Sequence, residues 1–173
     1  MQWGISMRTV ARTTLALGCL LAATCAVPAF ASANATRLDN RERAIIRGIN
    51  HQRAQHGLGA VHASGRLSRA ADFHSWEMLD ANYFAHTSRD GGPFDERVRR
   101  YTNKRALGET LAMLGGGCGR GSAHRVVQMW MNSPPHRAIL LSGSYRRIGI
   151  GKRVGSLGST KACVVTADFS SKR

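Results

Sequence analysis

Acidic residues are scarce in this 173-residue sequence: 10 Asp and Glu stand against 25 Lys and Arg, a formal net charge of +15. The basic residues are scattered rather than gathered in a compact run. Such a charge favours solubility and loose adhesion to anionic polymers over a built nucleic-acid site. Long hydrophobic runs are missing as well. The apolar stretch from Leu15 to Ala26 falls short of the roughly 20 residues that a membrane-spanning helix needs, so no transmembrane anchor is expected. No internal repeat, low-complexity tract or second-domain boundary occurs, which leaves one domain around a single core. Two catalytic signatures are also absent: the Gly-x-Ser-x-Gly elbow of serine hydrolases and the His-x-x-x-His spacing of a helical zinc site.

What is present begins with a leader. Arg8 and Arg12 precede the apolar stretch, Pro28 breaks it, and small residues follow at Ala29, Ala31 and Ala33. Both Ala29-Phe30-Ala31 and Ala31-Ser32-Ala33 fit the rule for signal cleavage, so residues 1–31 read as a cleavable signal peptide. A lipoprotein cut at Leu17-Gly18-Cys19 is the alternative, disfavoured by the short apolar stretch before Cys19. Residues 32–43 then form a leader segment and 44–170 the domain, secreted or periplasmic and expected to be monomeric. Loss of Arg8 and Arg12 leaves 23 basic against 10 acidic residues, a net charge of +13. Cys19 and Cys25 leave with the signal. Cys118 and Cys163 remain, and in an oxidising space they pair most simply as a disulfide; two separate buried thiols are the alternative.

Apolar spacing predicts a first helix over about 40–56, with Asp39 and Glu42 as a capping box and Ile45, Ile46 and Ile49 inward. A second runs from near Leu67 to near Asn82, with Leu67, Ala70, Ala71, His74 and Met78 on one face. A short third is expected over 94–101, burying Phe94 and Val98. Residues 108–113 are ambiguous. Ser122 is expected to cap an amphipathic helix carrying Val126, Val127 and Trp130, which Ser133-Pro134-Pro135 stops. The apolar runs 148–151 and 162–169 read as strands, pairing antiparallel if joined by a loop alone. Helices followed by strands indicate an α+β domain.

Three places set polar groups beside turns and aromatics: Phe84-Ala85-His86-Thr87-Ser88, Gly108-Glu109-Thr110, and Trp130-Met131-Asn132-Ser133-Pro134-Pro135-His136-Arg137. Two imidazoles and a carboxylate, His86, His136 and Glu109, suit a divalent metal or acid–base chemistry. Sequence spacing alone does not bring them together, and a lone loop histidine is ordinarily a surface residue. Asn50 and Arg53 read as anchors of the first helix, and Trp130 as core. His51, His56, His62 and His124 read as surface. Ser133 lacks the surroundings of a nucleophile.

These segments, with Ile49-Asn50-His51-Gln52-Arg53 before them and Tyr145-Arg146-Arg147-Ile148-Gly149-Ile150-Gly151 after, resemble the CAP superfamily of cysteine-rich secretory, antigen 5 and pathogenesis-related proteins. The likeness is to the short bacterial secreted type, in order from about 44 to 169. The resemblance implies a three-layer α-β-α sandwich with a central antiparallel sheet and a cleft lined by two histidines and two acidic residues. His86 and His136 match the histidines and Glu109 one carboxylate. Thr110 stands where that motif usually has Asn, and Ser133 where eukaryotic members place the second Glu, so the set is reduced to three. The expected function is a non-enzymatic binding module. Its cleft of His86, Glu109, His136 and Ser133 would hold a divalent metal such as zinc and recognise a lipid, glycan or peptide. The alternatives are a metal- or acid–base-assisted hydrolase of envelope material and a basic adhesion factor for anionic envelope polymers.

Overall fold

The computed structural model describes residues 38–171; the signal-peptide region lies outside them. The first helix, α1 (Asn40–Gln55), starts at a complete capping box. Asp39 Oδ1 accepts from the backbone N–H groups of Arg41 and Glu42, both at 2.8 Å, and Glu42 returns a carboxylate to the Asp39 N–H at 2.7 Å. Ile45, Ile46 and Ile49 are buried as their spacing predicts. In the second half of the helix, Asn50 exchanges hydrogen bonds with the backbone of Val61, and the fully buried Arg53 donates to the carbonyls of Gly59, Leu140, Ser142 and Tyr145. Both are anchors, as expected.

A two-residue strand, β1 (His62–Ala63), leads into α2 (Gly65–Asp80), capped by Ser64. Then come α3 (Phe94–Arg99), β2 (Leu107–Gly115), α4 (Ser122–Met131), α5 (Pro134–Leu140), β3 (Tyr145–Leu157) and β4 (Thr160–Ser171). The sheet order is β1-β3-β4-β2. β2, β4 and β3 run antiparallel, while β1 joins the edge of β3 in parallel.

The strands form a middle layer. Cys163, Val165, Ala167 and Phe169 of β4 point into a core shared with α1, α4 and α5; Val164 and Ala162 point the other way, towards Met78 of α2. This one-in-two alternation divides the helices between two faces. On the second face α2 lies directly on β3. A Cβ added to Gly149 or Gly151 would come within 2.1 Å of the α2 backbone, so these two glycines let the helix approach. Cys118, beyond β2, is bonded to Cys163, with Cα atoms 5.2 Å apart.

One open segment is settled and three local expectations are corrected. The ambiguous 108–113 segment is part of a nine-residue edge strand, β2. Ser122 is the first residue of α4 rather than its cap: Gly121 takes the cap position at φ 77°, a left-handed conformation that glycine adopts without a Cβ penalty. The Pro134-Pro135 pair ends α4 and also begins α5, because proline fits the first turn of a helix, where no N–H partner is needed. The third helix is shorter than expected and leaves Phe94 half-buried, with Val98 fully buried.

Candidate functional site

The site is built on the edge strand. Register places Glu109 of β2 opposite Asp168 of β4, which in turn faces Gly149 of β3. The glutamate side chain is fully buried. Its Oε1 accepts from His86 Nδ1 at 2.8 Å, and its Oε2 is paired with the guanidinium of Arg97 from α3. Arg97 also donates to Ser88 Oγ at 2.8 Å and to the His86 carbonyl at 3.3 Å, so one buried side chain ties the 86–88 loop to the sheet. A second tie comes from α2: His74 Nε2 donates to the Ala85 carbonyl at 2.9 Å. Its Nδ1 lies 3.1 Å from Glu77, which accepts from Tyr83 at 2.7 Å.

His86 is thereby oriented. With Nδ1–H given to a carboxylate, its neutral form carries the lone pair on Nε2, and the ring is about half exposed. His136, in the first turn of α5, presents its ring 6.4 Å from that of His86, centroid to centroid. Burial, helped by the neighbouring His86, lowers the His136 pKa below its ordinary value of 6.5, so the ring is neutral at pH 7 and keeps a lone pair to offer. Ser133 is the N-terminal flanking residue of α5 and makes no side-chain cap. The fold thus brings His86, Glu109 and His136 into one neighbourhood, with His86 the bridge between the other two.

Two members of this cluster carried no site assignment in the sequence reading. Arg97 sits in what looks like a solvated run, Arg97 to Arg100, and no local signal separates it from its neighbours. Asp168 did leave a signal: an acidic residue inside the apolar run 162–169. Its carboxyl is fully buried, and neither oxygen has a donor. Burial first, and the charge of Glu109 second, raise its pKa well above 3.8, outweighing Arg97. Protonated, it donates to Glu109, and the three buried groups then carry one positive and one negative charge. Burial lowers the His74 pKa below 6.5, against Glu109 and the two acceptors that face its ring nitrogens, Glu77 and the Ala85 carbonyl. Trp130 is core, with Nε1 donating to the Leu111 carbonyl at 2.8 Å.

No group of three or more His, Cys, Asp or Glu among the described residues is placed to enclose a metal ion. A cation here would have two imidazoles as donors, because both oxygens of Glu109 are engaged. The fit is to an open two-histidine site with the carboxylate behind one of them, an arrangement in which the outer group fixes ring orientation.

Comparison with known proteins places this architecture. Over 111 residues the chain is 32% identical to the uncharacterized protein YkwD of Bacillus subtilis, covering 64% of this chain and 41% of that protein. It therefore spans less than half the length of that relative. An extracellular protein of Bacillus anthracis containing an SCP domain has the same fold, with TM-score 0.63, 26% identity, and coverage of 76% of this chain and 40% of that one. An outer surface protein of Borrelia burgdorferi superposes with TM-score 0.64 at 19% identity, covering 79% of this chain and 97% of that one. No helix among the described residues is long and apolar enough to cross a membrane. The model of the cysteine-rich secretory protein family, CAP, matches residues 46–169, and the chain belongs to that family.

Proposed function

We propose that this chain is an exported CAP-domain binding module whose recognition site is centred on His86 and His136. The observation that carries the reading is the fixed Arg97–Glu109–His86 chain, which presents one oriented imidazole beside a second, neutral one. Glu109 is buried and fully engaged, so it is poorly placed to activate water and well placed to hold a ring still. That distribution favours binding over hydrolysis. Zinc would be taken by His86 Nε2 and by His136, supplying a Lewis acid to which a lipid, glycan or peptide oxygen could attach. The signal sequence, and the extracellular character of the Bacillus anthracis relative, support a location outside the cytoplasm.

Isothermal titration with zinc at pH 7 tests the site. Binding is expected for the wild type, loss for His86→Ala and His136→Ala, and a roughly 10-fold or greater weakening for Glu109→Gln, as for other outer-shell partners. Circular dichroism should show the fold retained in the histidine variants. Absence of zinc uptake by the wild type refutes the metal assignment. Turnover of peptide or cell-wall substrates that disappears in both histidine variants overturns the non-enzymatic reading in favour of a hydrolase.

A further inference from the structure

A cavity of about 840 Å³ lies between α1 and α4, and neither His86 nor His136 lines it. No Asp or Glu is among its lining residues, which include Arg41, His51, Arg120 and His124. The N-terminus of α4 opens here. Gly121 offers no side chain to cap it, and the first turn holds no acidic residue. The Ala123 and His124 N–H groups therefore meet no side-chain acceptor. The helix adds about half a positive charge at this end.

A second observation is independent of the helix end. Ser122 lines the cavity and is only 4% exposed as a residue, and its hydroxyl has no hydrogen-bond partner among the described residues. The hydroxyl oxygen is not one of the fully buried unpartnered atoms, so it opens on the cavity, where an arriving acceptor oxygen can take its hydrogen bond. The guanidinium groups of Arg41 and Arg120 form no ion pair with any carboxylate among the described residues. Unmet N–H groups, one unmet hydroxyl and two uncommitted guanidinium groups around one helix start make a donor set with no acceptor of its own.

We propose that the start of α4, with Ser122, Arg120 and Arg41, is a subsite for the phosphate group of a soluble phosphate-bearing polymer. Phosphate matches the donor set better than a carboxylate, because it offers more acceptor oxygens and more charge to the helix end. The cavity is larger than one phosphate and leaves room for the flanking parts of a chain. The site does not rest on the histidine pair. The ten residues of α4 separate it by about 15 Å of helix from the α4–α5 junction that carries His136.

The test uses tripolyphosphate and inorganic phosphate, followed by amide chemical shifts and calorimetry on the whole protein at constant ionic strength. Shifts are expected at Gly121, Ser122, Ala123 and His124. Ser122→Asp places a carboxylate in the first turn, which suits the helix end while repelling the ligand, so it should weaken binding at least tenfold with Tm unchanged or higher. Arg120→Gln should weaken it several-fold. Three results overturn the proposal: shifts confined to other basic surfaces, equal binding by Ser122→Asp, or binding of phosphatidylglycerol vesicles with none of the soluble probes.

Discussion

The residue that most changes the description of the site is Asp168. Two carboxylates lie buried beside one guanidinium, so charge balance and burial both keep a proton on the pair. Because the folded-state pKa of Asp168 lies above the ordinary 3.8, the folded form retains a proton that the unfolded chain releases. The stability that this proton brings is complete below pH 3.8 and is lost as pH rises from there through the folded value. Asp168→Asn cannot ionise and can still donate to Glu109. It should raise Tm at pH 7 by several degrees, with the gain shrinking towards pH 3. Thermal unfolding between pH 3 and 8 checks this, and a pH-independent difference would count against a shared proton. Thr110 is the converse case. Its hydroxyl is buried without a partner.

Among the elements, the α2–β3 contact is the least tolerant. Cβ atoms at Gly149 or Gly151 would fall about 2 Å from helix backbone, which cannot rotate away as a side chain can. Gly151→Ala is therefore expected to push α2 off the sheet. His74 and Ser75 would go with it, and through His74 the loop that carries His86. The measurement is soluble yield and chemical denaturation, with a loss of roughly 3 kcal/mol or more expected, as for other overpacked core positions. A Gly155→Ala control meets only the flexible tip of Leu79 at 3.1 Å and should cost much less.

For the whole molecule, the disulfide joins the loop after β2 to the central strand β4, closing 45 positions of sequence. In the chain-entropy account such a cross-link stabilises by roughly 4 kcal/mol. Replacing Cys118 and Cys163 together by Ala should lower the urea midpoint accordingly, and an unchanged midpoint would show that the core alone suffices. The net positive charge acts at this scale too. Under the phosphate-subsite proposal it would steer an anionic polymer toward the surface, and the uncapped start of α4 would supply the assembled set of donors.

What the sequence determined by itself is what depends on neighbours in the chain. The capping box at Asp39 and Glu42, the inward faces of α1 and α2, and the strand character of 162–169 follow from local hydrogen bonding and from the helical and strand periods. The order of the motifs sufficed to indicate the family. Tertiary structure alone decided the rest. β2 is short of apolar signal at Gly108 and Glu109, and only its pairing with β4 makes it a strand. His86, Glu109 and Arg97 come from a loop, a strand and a short helix, and no spacing rule predicts their convergence because register and layer packing set it. Asp168 lies within an apolar strand, and only the sheet register sets it against Glu109. The start of α4 followed the same logic: local preference pointed to Ser122 as the cap, but the chain needed a left-handed turn there. Gly121 took that position and left the helix end open.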